Sequence, residues 1–151
     1  MRKDVALITN NPCFQQSADS SRLELLDGTP LDVLTVARDA IHLGSVLLTH
    51  PLYGNLRPNQ QPFRSILLRS SRNEEKSSVS TVCLESILTI EEAMLLYRGY
   101  GSRLLDPERL PVAMREDYAF VDFELMRESL TSYGLLPRGH VQGGEKVCRL
   151  I

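Results

Sequence analysis

Short apolar runs alternate with a stretch of helical periodicity along the first half of this chain. The run Val5-Ala6-Leu7-Ile8 ends at Asn10-Asn11-Pro12, which predicts a strand that is buried on both faces and stopped by turn-forming residues. Two further apolar runs, at residues 45–48 and 63–68, are also typical of buried strands. Residues 23–26 indicate a fourth strand more weakly. The chain is therefore expected to build a sheet.

A helix is predicted between the second and third of these runs in chain order. Asp27-Gly28-Thr29-Pro30 supplies a turn, a candidate N-cap in Thr29 and a proline suited to the first helical position. Apolar residues then recur every three or four positions, which predicts a helix over residues 31–43. The same periodicity predicts two longer helices over residues 81–97 and 114–133.

The order strand, helix, strand, followed by two helices, is typical of an α/β domain. We expect one such domain over residues 1–138, with a mostly parallel sheet of about four strands and helices packed on its faces, in a Rossmann-like three-layer arrangement. Residues 139–151 contain three glycines and no periodicity, so they are predicted to form a flexible tail. Residues 70–80 are crowded with Ser, Asn, Glu and Lys and are predicted to form a flexible surface loop.

The composition excludes several classes of function. A formal net charge of -2 gives no field for binding a phosphate backbone, so nucleic acid is not expected as a partner. Cys13, Cys83 and Cys148 show no CxxC or Cys/His spacing, which argues against a disulfide framework and against a metal site, and no cofactor is predicted. No apolar run approaches the length of a signal peptide or a membrane span, so a cytoplasmic protein is expected.

Polar loops follow two of the predicted strands. If those strands are parallel neighbours, both loops lie at the edge of the sheet where α/β proteins bind ligands. The second loop, residues 49–59, brings together an imidazole, a guanidinium and amides, which suit a small anionic ligand. The candidate ligand-binding residues of the two loops are Thr9, Asn10, Asn11, Thr49, His50, Gly54, Asn55, Arg57 and Asn59.

Each of the two strongest candidates also has a purely structural interpretation. His50 has an unperturbed pKa suited to proton transfer, but it could equally brace the turn through a hydrogen bond to a neighbouring carbonyl, and no acid or nucleophile accompanies it in the sequence. Arg57 could hold a carboxylate or phosphate through two hydrogen bonds, or it could be an ordinary solvated arginine. Both alternatives stay open at this point.

A specific set of residues runs through roughly residues 4–98. The set comprises Thr9-Asn10-Asn11-Pro12, Asp32-Val33-Leu34, Arg38-Asp39, Ile41-His42-Leu43-Gly44, Leu47-Leu48-Thr49-His50-Pro51-Leu52, Gly54, Arg57-Pro58-Asn59 and Pro62. These residues resemble the GrdX family, which is named for its place in glycine reductase gene clusters. The resemblance implies a cytoplasmic accessory component of the selenium-dependent reductive deamination of glycine, sarcosine or betaine, and it assigns no catalytic residue. Cys13 is not part of the resemblance.

Three functions remain open from the sequence. The first is an accessory protein that binds a small anionic metabolite or a glycine reductase component, without an assigned reaction. The second is an enzyme in which His50 acts as general acid or base on a small amino-acid-derived or acyl phosphate substrate. The third is an interaction module for a reductase subunit. A homodimer is also expected, because Tyr118, Phe120 and Phe123 spread around their predicted helix and some would cover a partner chain.

Overall fold

The computed structural model describes residues 4–16, 18–70 and 81–138. The predicted loop at residues 70–80 lies almost wholly outside this part of the chain, and the predicted tail at residues 139–151 lies entirely outside it. The strands and α-helices are β1 (Val5–Thr9), β2 (Leu23–Leu25), α1 (Pro30–His42), β3 (Val46–Leu47), β4 (Ser65–Arg69), α2 (Leu84–Tyr100) and α3 (Val112–Ser132).

The four strands form one mixed sheet in the order β2-β1-β4-β3. Only β1 and β2 pair in parallel, whereas β4 pairs antiparallel with both β1 and β3. The prediction of a mostly parallel, Rossmann-like sheet is therefore wrong. A parallel connection is usually a crossover that contains an α-helix, and residues 48–64, which join β3 to β4, contain only the short 3-10 helix Pro58–Gln60. The chain instead turns back, and β4 enters the sheet between β1 and β3.

This topology still brings two loops to one edge of the sheet. Because β1 and β3 are both antiparallel to β4, they run in the same direction, toward the end of the sheet where β4 begins, although Leu47 at the end of β3 pairs with Leu68 rather than with the first residue of β4. Thr9 at the end of β1 pairs with Ser65 at the start of β4. We call this end of the sheet the strand-end edge. The Asn10-Asn11 loop and the loop after β3 both leave from it, on the two sides of β4.

Helices pack on both faces of the sheet. On one face α3 covers β1 and β4, and on the other face α1 and α2 cover the same two strands. The α3 side of the core includes Leu7, Phe14, Leu67, Phe123, Met126 and Leu130, and the opposite side includes Ile8, Leu34, Ile41, Ile66, Ile90 and Met94. None of the helices in the described part of the chain combines the length and apolar character needed to cross a membrane.

The start of α1 forms as predicted and also lies at the strand-end edge. The Thr29 hydroxyl accepts a hydrogen bond from the backbone N–H of Asp32 at 3.3 Å, and the Asp32 carboxylate accepts one from the backbone N–H of Thr29 at 2.7 Å. Pro30 occupies the first helical position. This reciprocal cap stops the helix from beginning earlier or later, because it satisfies N–H groups that have no partner within the helix.

The cysteines differ from the expectation. Cys13 is buried and is disulfide-bonded, so the prediction that the cysteines form no disulfide is wrong for this residue. Cys83, at the start of α2, is free and partly exposed.

Candidate functional site

Polar side chains are buried together at the strand-end edge, between β1, β4 and α3. The buried members are Thr9, Asn10, Asn11, Gln61, Arg64, Ser65, Tyr97 and Asp122. We call these residues, together with the partly buried Tyr53, the buried polar cluster. Burial of a polar group is costly unless it is hydrogen-bonded, so the partners of each group decide whether the cluster has capacity left for a ligand.

Asp122 of α3 is the central acceptor of the cluster. One carboxylate oxygen accepts a hydrogen bond from the Tyr53 hydroxyl. The other accepts from Asn11 Nδ2 at 2.9 Å and from Ser65 Oγ at 2.8 Å. These donors come from the loop after β3, the loop after β1 and the first residue of β4. One carboxylate thus ties α3 to the sheet and to both strand-end loops.

The protonation of this centre follows from its burial. Burial raises the pKa of Asp122, and the hydrogen bonds from Tyr53, Asn11 and Ser65 offset that rise only in part. Burial, and next the charge of Asp122, raise the pKa of the Tyr53 phenol well above its usual value. The phenol therefore keeps its proton at neutral pH and remains a donor to the carboxylate.

Asn11 and Thr9 use their polar side-chain atoms within the protein. Asn11 Nδ2 donates to the Ala119 carbonyl oxygen at 2.8 Å as well as to Asp122, and Asn11 Oδ1 accepts from the Cys13 N–H at 3.0 Å. Thr9 Oγ1 accepts from the Asn11 N–H at 3.0 Å and lies 2.7 Å from Ser65 Oγ. Neither side chain offers an unused donor to a ligand in this conformation.

Asn10 forms side-chain hydrogen bonds to Gly28, Pro62 and Arg64 at the strand-end edge. Its Nδ2 donates to the carbonyl oxygens of Gly28 at 3.0 Å and of Pro62 at 2.9 Å. Its Oδ1 accepts from the backbone N–H of Arg64 at 2.8 Å. Asn10 thus holds the turn before α1 against the chain that enters β4.

Arg64, the residue before β4, is a buried cation that is 1% exposed. Its guanidinium donates to the Tyr97 hydroxyl and to Gln61 Oε1, and Nη1 donates to the Tyr53 carbonyl oxygen at 3.2 Å. The guanidinium carbon lies 4.7 Å from the centre of the Tyr53 ring and 5.4 Å from that of Tyr97. Within the described residues it forms no ion pair at contact distance, so neutral oxygen atoms and ring faces stabilise the charge together with the more distant carboxylate of Asp122.

His50 lies outside the buried polar cluster. Its side chain is exposed, and its Nδ1 accepts a hydrogen bond from the backbone N–H of Leu52 at 3.1 Å. The imidazole therefore braces the turn, although with a backbone N–H rather than with the carbonyl that the sequence suggested. No carboxylate of the described residues forms an ion pair with it, so the general acid or base hypothesis finds no second catalytic group beside His50.

The other predicted residues of the second loop occupy three kinds of environment. Asn55 and Arg57 are exposed. Thr49 and Asn59 each keep a buried side-chain oxygen that has no hydrogen-bond partner in the described chain. Gly54 has a φ of +78°, a conformation that favours glycine, and a Cβ there would lie 2.9 Å from Cδ1 of the exposed Leu125 side chain, which is free to move aside.

A cavity of about 340 Å³ opens at the strand-end edge beside the buried polar cluster. Asn10, Gly28 and Phe63 contribute to its wall, at the carboxyl ends of β1 and β2 and beside the start of α1. Among the predicted ligand-binding residues, Asn10 is the one that lines it. The volume falls in the range of small-molecule sites. We call it the strand-end cavity.

Charged groups of both signs line the strand-end cavity. Asp27 and Glu108 are exposed carboxylates, and Arg115 of α3 is half buried. Arg115 Nε is buried and has no hydrogen-bond partner in the part of the chain that the structure describes. A buried guanidinium nitrogen without an acceptor is a donor still available for a ligand, in contrast to the saturated amides of Asn10 and Asn11.

Four residues of this region were not among the predicted site residues: Tyr53, Arg64, Arg115 and Asp122. Tyr53 lies inside the loop that was singled out, and an arginine at the start of an apolar strand, as at Arg64, is a signal that could have been noticed. Asp122 carries no such signal, because a single acid in a helix is usually solvated. Within residues 4–16, 18–70 and 81–138, no three His, Cys, Asp or Glu side chains are placed to hold a metal ion.

The comparison with known families matches most of the chain. A family model described as GrdX-like protein covers residues 6–131, which include both strand-end loops, the strand-end cavity and Asp122. No curated protein and no solved structure gives a significant match.

Proposed function

The chain belongs to the GrdX-like protein family, and on that premise we propose that it is a non-catalytic accessory protein of the glycine reductase system that binds a small zwitterionic amino acid in the strand-end cavity. The link to glycine reductase comes from the gene clusters for which the family is named. A cytoplasmic location is part of the same proposal. This link suggests glycine, sarcosine and betaine as the ligands.

The mixture of charges in the strand-end cavity is the observation that carries the proposal. A zwitterionic amino acid presents a carboxylate, which suits the available Nε donor of Arg115, and a cationic nitrogen, which suits the carboxylates of Asp27 and Glu108. A ligand with two negative charges, such as an acyl phosphate, would meet two carboxylates and one guanidinium. The cavity therefore favours a zwitterion over a multiply charged anion.

The candidate catalytic groups, His50 and Asp122, already accept hydrogen bonds from the protein, which favours a binding role over catalysis. Nδ1 of His50 is already engaged by the Leu52 N–H, and Asp122 accepts from three donors of the protein. A general base needs an acceptor atom within reach of substrate, and neither group offers one beside the strand-end cavity. The second loop is then a rigid frame for the edge of the sheet.

Isothermal titration calorimetry on the full chain tests the proposal. Glycine, sarcosine and betaine are the ligands, with acetate and methylammonium as controls that carry one charge each. We expect a zwitterion to bind more tightly than either control. Arg115→Gln should weaken its binding about tenfold to a hundredfold, since a hydrogen bond to a charged group contributes about 1.5–3 kcal/mol.

His50→Ala is the matched control variant, because His50 is exposed and lies on the other strand-end loop. It should leave zwitterion binding unchanged. Binding that is lost in His50→Ala but kept in Arg115→Gln would instead place the ligand on the loop after β3. The absence of any heat with the three amino acids would contradict the proposed ligand class.

A further inference from the structure

Helix α2 carries apolar side chains on two opposite faces. One face packs on α1 and the sheet through Ile90, Met94 and Tyr97. The other face is open, and it exposes Leu84 at 67%, Leu88 at 57% and Leu95 at 71%. Separations of four and seven residues place these three leucines on one side of the helix. An aligned apolar row of this kind, unlike scattered leucines, is typical of a docking surface.

A hollow lies beside this row at the C-terminal half of α2. It has a volume of about 440 Å³ and is lined in part by Leu95, Gly99 and Arg103. A Cβ added to Gly99 would meet no atom within 4 Å, so the helix backbone is open to a side chain from outside. The open face therefore has projecting leucines, Leu84 and Leu88, at one end and a hollow at the other.

Charge is also distributed unevenly along α2. Glu85 is exposed in its first turn, whereas Arg98 is exposed near its end and Arg103 follows in the next turn; Glu92 lies at the middle of the helix, at the rim of the hollow. A surface with acid at one end and base at the other attracts a copy of itself that runs in the opposite direction. It repels a copy that runs in the same direction.

We propose that the open face of α2 docks on the same face of a second copy of this chain, antiparallel about a two-fold axis, with each Leu88 over the Gly99 hollow of the other copy. Glu85 lies three residues before Leu88, and Arg103 lies four residues after Gly99. The same register therefore brings Glu85 of one copy beside Arg103 of the other. Both the apolar and the charged contacts occur twice, as a two-fold interface requires.

The open face of α2 is complementary to itself, which identifies a second copy of this chain as the partner that docks on it. An unrelated partner would need only an apolar surface. Here the leucines match the hollow, and Glu85 matches Arg103, within α2 and the turn that follows it. The aromatic residues of α3 do not provide an equivalent face: Phe123 is buried against Phe14, with ring centres 5.0 Å apart, and Tyr118 packs against the same core.

Sedimentation velocity of the full chain over a range of concentrations tests the proposal. Wild type should dimerise, and Leu88→Glu should raise the dimer dissociation constant at least about tenfold, because it places a charge in a desolvated apolar contact. Val112→Glu, an equally exposed apolar position on α3, is the control that should leave the dimer intact. Circular dichroism checks that each variant is folded.

Exchanging the charges of Glu85 and Arg103 distinguishes self-association from the binding of another protein. Glu85→Arg and Arg103→Glu should each weaken the dimer, and the double variant should recover at least part of the affinity, because the pair is restored with its signs reversed. A wild-type protein that sediments as a monomer at every concentration overturns the proposal. So does a dimer that Leu88→Glu leaves intact, or a double variant weaker than both single variants.

Discussion

Replacing Tyr53 with phenylalanine removes one oxygen atom from the buried polar cluster and leaves the ring in place. That oxygen donates to the Asp122 carboxylate and accepts from the backbone N–H of Ser65 at 2.7 Å. A hydrogen bond to a charged group contributes about 1.5–3 kcal/mol, and an N–H left buried without an acceptor costs about 1–3 kcal/mol. Both effects involve the same atom and are not fully additive, so we expect Tyr53→Phe to lower the free energy of unfolding by about 2–4 kcal/mol.

Urea denaturation followed by circular dichroism measures this change. With a denaturant slope of about 2 kcal/mol per molar, the midpoint should fall by about 1–2 M while the slope stays constant. Tyr118→Phe is the matched control: this tyrosine lies on α3, is half buried, and its hydroxyl has no hydrogen bond within the described chain, so its removal should cost less than about 0.5 kcal/mol. If Tyr53→Phe proves as mild as Tyr118→Phe, the cluster does not hold the loop to α3.

Two further variants test the same region. Burial raises the folded-state pKa of Asp122, so the stabilisation from this group is fully present below the unfolded pKa and is lost as the pH rises through the folded pKa. Urea midpoints measured over a pH series should show that Asp122→Asn removes this decline. A pH dependence that is the same in Asp122→Asn and wild type would contradict the assignment. Gly54→Ala should lower the free energy of unfolding by about 1–2 kcal/mol, because the backbone has a φ of +78°. A loss below about 0.5 kcal/mol in the same assay would show that the loop adapts freely.

The local elements were predictable because their signals are local. The end of β1 is encoded by Asn10-Asn11-Pro12, and the start of α1 by Thr29 and Pro30, whose cap forms between residues three apart. The direction of β4 had no such signal. An apolar run such as residues 66–68 is the same whether a strand runs parallel or antiparallel. The direction of β4 goes with a connection that lacks an α-helix.

The cluster was less predictable because it depends on which side of α3 faces the sheet. The helical spacing of apolar residues favours a stripe through Val121 and Leu125 as the packed side, yet both are exposed, whereas Asp122 and Met126 are buried. The helix has apolar residues all around it, so its periodicity did not identify the packed side. Asn11 and Asp122 are 111 positions apart, and no local pattern could have paired them.

The two strand-end loops do meet, but through Tyr53 rather than through His50. The contact is internally satisfied: Asn11 and Asp122 use their polar atoms on protein partners, so the cluster sets geometry and leaves no group for a ligand. Asn10 connects this frame to the strand-end cavity, since it lines the cavity and also holds Gly28 in its wall. Arg115, whose buried Nε has no hydrogen-bond partner in the described chain, contributes to the same wall. Under the proposed function, the Arg115 guanidinium beside the fixed Asn10 amide would bind the ligand with little reorganisation, and the carboxylates of Asp27 and Glu108 in the same wall would hold its cationic nitrogen.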